Sequence, residues 1–117
     1  GTSYLLPRVV GENKAKDLVF TGELVGAEEA ERLGLFTQVY GDDEFESQAE
    51  AYVERIATGP TVGLKTSKRL IRQGLQSDID QVMTNEAAAQ AAVFETDDHE
   101  EGATAFMEGR DAEFEGR

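Results

Sequence analysis

Apolar positions recur at helical spacing along most of the chain, and glycines punctuate them. Thr2 or Ser3 can cap a short opening helix in which Pro7 sits near the first turn, where its missing N–H costs least, and Gly11 ends it. Residues 13–20 set Ala15, Leu18 and Val19 on one face, with Gly22 as the stop signal. Ala27, Ala30 and Leu33 make the next stripe; Glu28 and Glu29 occupy its favourable first turn and Gly34 lies just past its end. Only residues 35–40 alternate with period two. Leu35, Thr37 and Val39 point one way and Phe36, Gln38 and Tyr40 the other, which predicts one strand.

The second half is more strongly helical. Asp43 with Glu46 three residues on reads as an acidic capping box before the stripe Phe45, Ala49, Tyr52, Val53 and Ile56. Gly59-Pro60 stops that helix, and another is predicted over 61–75, burying Leu64, Ile71 and Leu75. Ser77 can cap the next, whose stripe is Ile79, Val82, Met83, Ala87, Gln90, Val93 and Phe94. Asp97 with Glu100 caps a last helix carrying Ala103, Phe106 and Met107, and Phe114 is the apolar anchor of the tail 109–117. One strand cannot make a sheet. The isolated chain is therefore expected to be mostly α, helices plus one short strand that pairs with something outside it, and its helices should leave apolar surface uncovered.

A length of 117 residues suits one domain or a piece of one, and 39% hydrophobic residues can support a core at a mean hydropathy of −0.45. The chain opens on Gly1 and runs almost at once into Tyr4-Leu5-Leu6, where termini are usually polar, so its start is expected upstream. That stretch is too short for a signal peptide, and no apolar run approaches the roughly 20 residues of a membrane span. Cysteine is absent, which excludes disulfides, thiolate zinc sites and a cysteine nucleophile; a cytoplasmic setting fits. Eleven Lys and Arg against 24 Asp and Glu give a net charge of −13, which repels nucleic-acid phosphates. An acidic surface with only four lysines also fits a protein adapted to high salt, where screening relieves self-repulsion.

Little here resembles a catalytic centre. His99, the only histidine, sits in Asp97-Asp98-His99-Glu100-Glu101, but adjacent residues on a helix fan around its axis and do not converge on one metal ion. The run reads as a solvated, acidic helix start, and no serine stands on a nucleophile turn. Neither a Gly-x-Gly-x-x-Gly loop nor a P-loop is present. Glu86 lies beside the apolar stripe of its helix and is expected to be packed or interfacial rather than catalytic. Lys65, Lys68, Arg69 and Arg72 form the one basic cluster, spaced i, i+3, i+4, i+7. It could attract a phosphorylated ligand, but balancing acids nearby or at an interface is the simpler expectation.

In their order, three segments resemble the enoyl-CoA hydratase/isomerase (crotonase) family: Leu6-Pro7-Arg8-Val9-Val10-Gly11, Leu18-Val19-Phe20-Thr21-Gly22-Glu23, and the run from Ala27 through Leu35. Ala57-Thr58-Gly59-Pro60, Lys68-Arg69-Leu70, the run from Thr96 to Phe106 and the ending Phe114-Glu115-Gly116-Arg117 continue the likeness in register over the whole chain. The resemblance implies the C-terminal helical part of the α/β ββα-spiral fold, with 1–40 ending the spiral core and 41–117 forming the helical trimerisation and acyl-CoA region. It further implies a coenzyme A thioester as substrate with no permanently bound cofactor or metal, and a homo-trimer or hexamer. The oxyanion-hole N–H groups and acid–base carboxylates would precede Gly1, so no catalytic residue is assigned. The family often ends its last helix with Phe-x-Glu-Lys-Arg; here Gly109 replaces the Lys, leaving Phe106 and Arg110 as candidate CoA contacts. The Gly-Thr-Ser-Tyr-Leu-Leu-Pro-Arg opening and the Ala-Thr-Gly-Pro-Thr segment lean toward isomerase-type or phenylacetyl-type branches. The alternative from another class is a non-catalytic, acidic helical oligomerisation or interaction module.

If the acidity is an adaptation to high salt, the thermal midpoint should rise from dilute buffer to molar KCl as self-repulsion is screened. A flat or falling midpoint in a KCl series counts against it.

Overall fold

The computed structural model describes all 117 residues and forms seven helices and no strand. Two compact units divide at Gln48/Ala49. The first holds α1 (Thr2–Val10), α2 (Glu12–Thr21) and α3 (Ala27–Arg32). The second holds most of α4 (Phe45–Ala57), then α5 (Thr61–Gly74), α6 (Ile79–Phe94), α7 (Asp97–Glu108) and the C-terminal tail.

In the first unit α1 packs on α2. Gly1, not Thr2 or Ser3, occupies the N-cap of α1, and Pro7 lies inside the helix while its carbonyl accepts the Gly11 N–H at 3.0 Å. Gly22 closes α2 in the left-handed conformation, φ 64°, that a side chain disfavours, with its N–H on the Leu18 carbonyl.

The strand expected over 35–40 does not form. After α3 the Leu35 and Phe36 N–H groups both turn back onto the Ala30 carbonyl, and the Val39 N–H donates to the Glu31 carboxylate at 3.0 Å. The alternating pattern thus marks a segment tied to its own helix. Leu35 and Val39 are half-buried, Phe36 is exposed, and no second strand offers a ladder.

In the second unit α5 packs on α6 and α6 on α7. The inward faces match the predicted ones only in part. On α5, Val62, Thr66, Leu70 and Gly74 are half-buried, whereas Leu64, Ile71 and Leu75 are exposed. On α6 the inner row is Val82, Asn85, Ala89 and Val93, while Ile79, Met83 and Phe94 are exposed. On α7 the inner row is Asp98, Glu101, Gly102 and Ala105, leaving Phe106 and Met107 outside. α4 keeps only Ala49 and Tyr52 half-buried, with Phe45, Val53 and Ile56 exposed. The fully buried apolar residues are all small: Ala15, Ala30, Ala89 and Ala105.

Two caps fall one residue from their predicted places. Asp78, not Ser77, caps α6, its carboxylate accepting the Gln81 N–H at 3.0 Å, while the Ser77 hydroxyl donates to the Gln73 carbonyl. Thr96, not Asp97, caps α7 by accepting the His99 N–H at 3.2 Å. At α4 a turn closed by Glu44 N–H on the Gly41 carbonyl precedes Phe45, which leaves Asp43 one residue ahead of the capping place.

Candidate functional site

The densest polar construction lies where α7 meets the tail. Asp98 is 3% exposed, a burial that a carboxylate tolerates only with its oxygens hydrogen-bonded. Its Oδ1 accepts the Glu115 N–H at 2.8 Å, and both oxygens accept the Gly116 N–H, at 3.1 and 3.0 Å. The Asp98 N–H in turn donates to the Arg117 carbonyl at 3.0 Å. One helical turn on, Glu101 accepts the Glu113 N–H at 2.8 Å and a bidentate pair from Arg110, at 2.6 and 2.9 Å. Two carboxylates at i, i+3 thereby bind the tail along α7. Phe114 completes the clasp: its ring lies over Gly102, where a Cβ would come within 3.4 Å of the ring.

The candidate CoA residues flank this clasp. Gly109 ends α7 in the left-handed conformation and the Arg110 N–H turns back to the Ala105 carbonyl. Besides Glu101, the Arg110 guanidinium donates to Glu108 at 2.7 Å and to the Asp111 carbonyl at 3.1 Å, which leaves one Nη2 hydrogen uncommitted. Its pKa is raised further by the Glu101 and Glu108 hydrogen bonds. The same ion pair, with the Glu113 N–H, holds Glu101 at about 2, well below the usual 4.5. Phe106 is 87% exposed, as is Met107 beside it. The structure thus places Phe106 and Arg110 at the same end of α7, the ring free and the cation largely neutralised.

The other sequence candidates are scattered. His99 is exposed, stacked on Phe94 with ring centroids 4.5 Å apart. Glu86 is exposed on α6, so the packed reading fails within this chain: it falls outside the row that faces α5 and α7. Lys65, Lys68, Arg69 and Arg72 are all exposed, and none touches a carboxylate of the chain, contrary to the expectation of local charge balance. No group of three His, Asp or Glu side chains could hold a metal ion.

Hollows occur within both units. One, about 400 Å³, runs between α7 and the tail and is lined by acids including Asp97, Glu100, Glu113 and Glu115, a lining that repels phosphate. The other, about 300 Å³, lies between α1 and α2; apolar Leu6, Pro7, Ala15, Val19 and Phe20 line it together with Thr2, Ser3 and the ion-paired Glu12 and Lys16. A hydrocarbon chain suits it; an anion does not. Sequence reasoning missed Asp98 and Glu101, whose one available signal was their shared face with Gly102 and Ala105.

The family model described as enoyl-CoA hydratase/isomerase matches residues 1–117. A crotonyl-CoA hydratase of Syntrophomonas wolfei is 38% identical over 97% of this chain and 44% of its own length. A short-chain-enoyl-CoA hydratase of Clostridioides difficile is 35% identical over 91% of this chain and 68% of its own. The crystal structure of an enoyl-CoA hydratase from Bacillus anthracis superposes with a TM-score of 0.91 at 32% identity, covering all of this chain and 45% of that one. The chain therefore spans less than half the length of most such relatives, and it corresponds to the C-terminal helical part of their fold.

Removing the Asp98 carboxylate should loosen the tail. Asp98→Ala leaves the Glu115 and Gly116 N–H groups without their acceptor and should cost about 1–3 kcal/mol, the range for an unsatisfied buried group. Chemical denaturation measures this, and an unchanged midpoint contradicts the clasp.

Acid should act at Glu101. Its pKa is lowered on folding, so its contribution is complete above about pH 4.5 and is lost as pH falls through about 2. The Glu113 amide resonance should follow that titration in an NMR series. A midpoint near 4.5 would show that the ion pair does not hold.

Proposed function

We propose a function from one premise: the chain belongs to the enoyl-CoA hydratase/isomerase family. It serves as the C-terminal helical part of an enzyme that adds water across, or moves, a double bond next to a coenzyme A thioester. The observation that carries this is the family match over all 117 residues, supported by the B. anthracis superposition. The relatives described above are named as hydratases, and nothing in them favours the interaction-module alternative.

Chemistry of this class needs hydrogen-bond donors fixed where the enolate oxygen develops and a carboxylate within reach of the moving proton. Neither is assigned within this chain, so its part is to shape and bind. Residues 1–40 close the spiral core and lend the α1–α2 groove to the acyl chain. Residues 41–117 contribute helices to a homo-trimer or hexamer in the cytoplasm and carry the CoA-facing end of α7. There Phe106 stacks on the adenine and the uncommitted Nη2 hydrogen of Arg110 reaches a phosphate. The thioester is substrate, and no cofactor is held permanently.

The test uses the full-length enzyme. Arg110→Ala should weaken CoA binding by roughly 1.5–3 kcal/mol, the range for a hydrogen bond to a charged group, and leave turnover at saturation nearly unchanged. Phe106→Ala should act in the same sense. Glu101→Gln separates the two roles of Arg110, because it removes the ion pair that ties the guanidinium to α7 and keeps the cation. An unchanged CoA dissociation constant in Arg110→Ala removes that contact, and robust turnover by the 117-residue chain alone refutes the division of labour.

A further inference from the structure

Two carboxylates hold the Arg110 guanidinium, and they are themselves held unequally. Glu101 Oε1 accepts the Arg110 Nη1–H at 2.6 Å and the Glu113 N–H at 2.8 Å, while its Oε2 accepts the Nη2–H at 2.9 Å. Its side chain is 25% exposed and stands on the same face of α7 as the buried Asp98 that ties down the tail. Glu108 is the last residue of α7, with its side chain 57% exposed, and accepts the Arg110 Nε–H at 2.7 Å.

The guanidinium is planar, so these bonds decide which of its edges is left. Glu101 takes the two-pronged end, and the Asp111 carbonyl accepts the second Nη1 hydrogen at 3.1 Å. What remains is the side edge formed by Nε–H and the second Nη2 hydrogen, two parallel donors spaced to meet two oxygens of one phosphate. Glu108 occupies the Nε half of that edge, and the Nη2 half is uncommitted.

We infer that Glu101 is a positioning residue for the CoA contact, holding the guanidinium with one edge presented to a phosphate, and that Glu108 competes with the phosphate for that edge. The inference rests on the CoA contact proposed at Arg110. The two acids then act with opposite sign. A free Arg side chain samples many rotamers, and ordering it on binding lowers affinity. Glu101 orders it beforehand, while the Glu113 N–H and the left-handed turn at Gly109 keep the cation folded back along α7. Glu108 is exposed at the helix end and chiefly adds negative charge where the phosphate arrives. An account by charge alone predicts otherwise: either acid would repel the phosphate, and losing either would tighten binding.

Charge-neutral variants of the full-length enzyme test it. Coenzyme A is the calorimetric probe, and one 2-enoyl group carried on CoA or on pantetheine supplies the paired substrates. Glu101→Gln should weaken CoA binding by roughly fivefold, and Glu108→Gln should tighten it by roughly threefold, the scale of a solvent-exposed ion pair. Both shifts should appear in KM rather than in kcat, and neither with the pantetheine thioester, which carries no phosphate. Arg110→Ala should erase both, because each acid acts through that cation. Tightening by Glu101→Gln, weakening by Glu108→Gln, or no change with either overturns the inference and leaves the Arg110 contact standing. Equal shifts with the two thioesters overturn it as well, since they mark a structural defect. An unchanged CoA affinity in Arg110→Ala removes the contact and this inference with it. Should Glu101→Gln not fold, Glu108→Gln must still tighten binding and lose that effect in the Arg110→Ala background; no tightening there overturns the inference equally.

Discussion

A buried carboxylate dictates the layout of the second unit. Asp98 must be hydrogen-bonded where water does not reach, and the donors it finds are the N–H groups of Glu115 and Gly116. For both to face one side chain, the tail has to arrive in register along α7, with Gly116 at φ 80° and its Cα so near Thr61 that a Cβ would meet that hydroxyl at 3.2 Å. Glycine meets both demands, and a larger residue meets neither without strain. Once that end is fixed, Phe114 falls over Gly102 and Glu113 over Glu101, and Glu101 turns the Arg110 guanidinium back along the helix. The direction of the candidate CoA contact at Arg110 therefore follows from a hydrogen-bond requirement a dozen residues away in sequence.

Apolar burial plays the smaller part inside this chain. Small residues occupy the inward positions, Gly74, Ala89 and Ala105 on the helices and Gly102 beneath the tail's Phe114, and remove little apolar area from water. The large side chains that ordinarily make a core face outward instead. A 13-residue helix such as α4 is marginal in water on its own hydrogen bonds, and its exposed Phe45, Val53 and Ile56 stabilise it only when something covers them. The division is consistent with a chain that spans under half the length of most of its relatives, because a helical layer cut from its neighbours keeps its small-residue seams and bares its large-residue faces.

That division explains which parts of the structure were legible from the residues. Helix positions were, since Gly22, Gly34 and Gly59-Pro60 stop helices by backbone chemistry that needs no tertiary context. Inward faces were legible only in part, at Ala49, Tyr52, Val82 and Val93. The rule that the largest apolar stripe faces the core put Leu64, Ile71 and Met83 inside, whereas the seams follow the small residues. Asp78 and Ser77 are equally good capping residues, and only the backbone path decides between them. The period-two run at 35–40 satisfied a strand template, yet a strand exists by its neighbour, and the Ala30 carbonyl took its first two N–H groups. Phe106 and Arg110 came from family resemblance. Asp98 stayed hidden in a five-residue polar run because its role depends on partners 17 and 18 positions later.

Charge links these levels. Where cations meet acids within the chain, the pairs set shape: Arg110 donates to Glu101 and Glu108 and so commits most of its hydrogen-bonding capacity to α7. A phosphate at Arg110 would then share a guanidinium already held by two carboxylates, so its attraction depends on the single free Nη2 hydrogen and on geometry more than on net charge. The row on α5 is in the opposite condition, exposed, without an ion-pair partner in the chain and with an apolar strip beside it. A cation held in a clasp positions its own chain, whereas a cation row left open in an acidic molecule is disposed toward another surface. The same side-chain chemistry thus serves internal order at α7 and is left open on α5, and local pairing determines which.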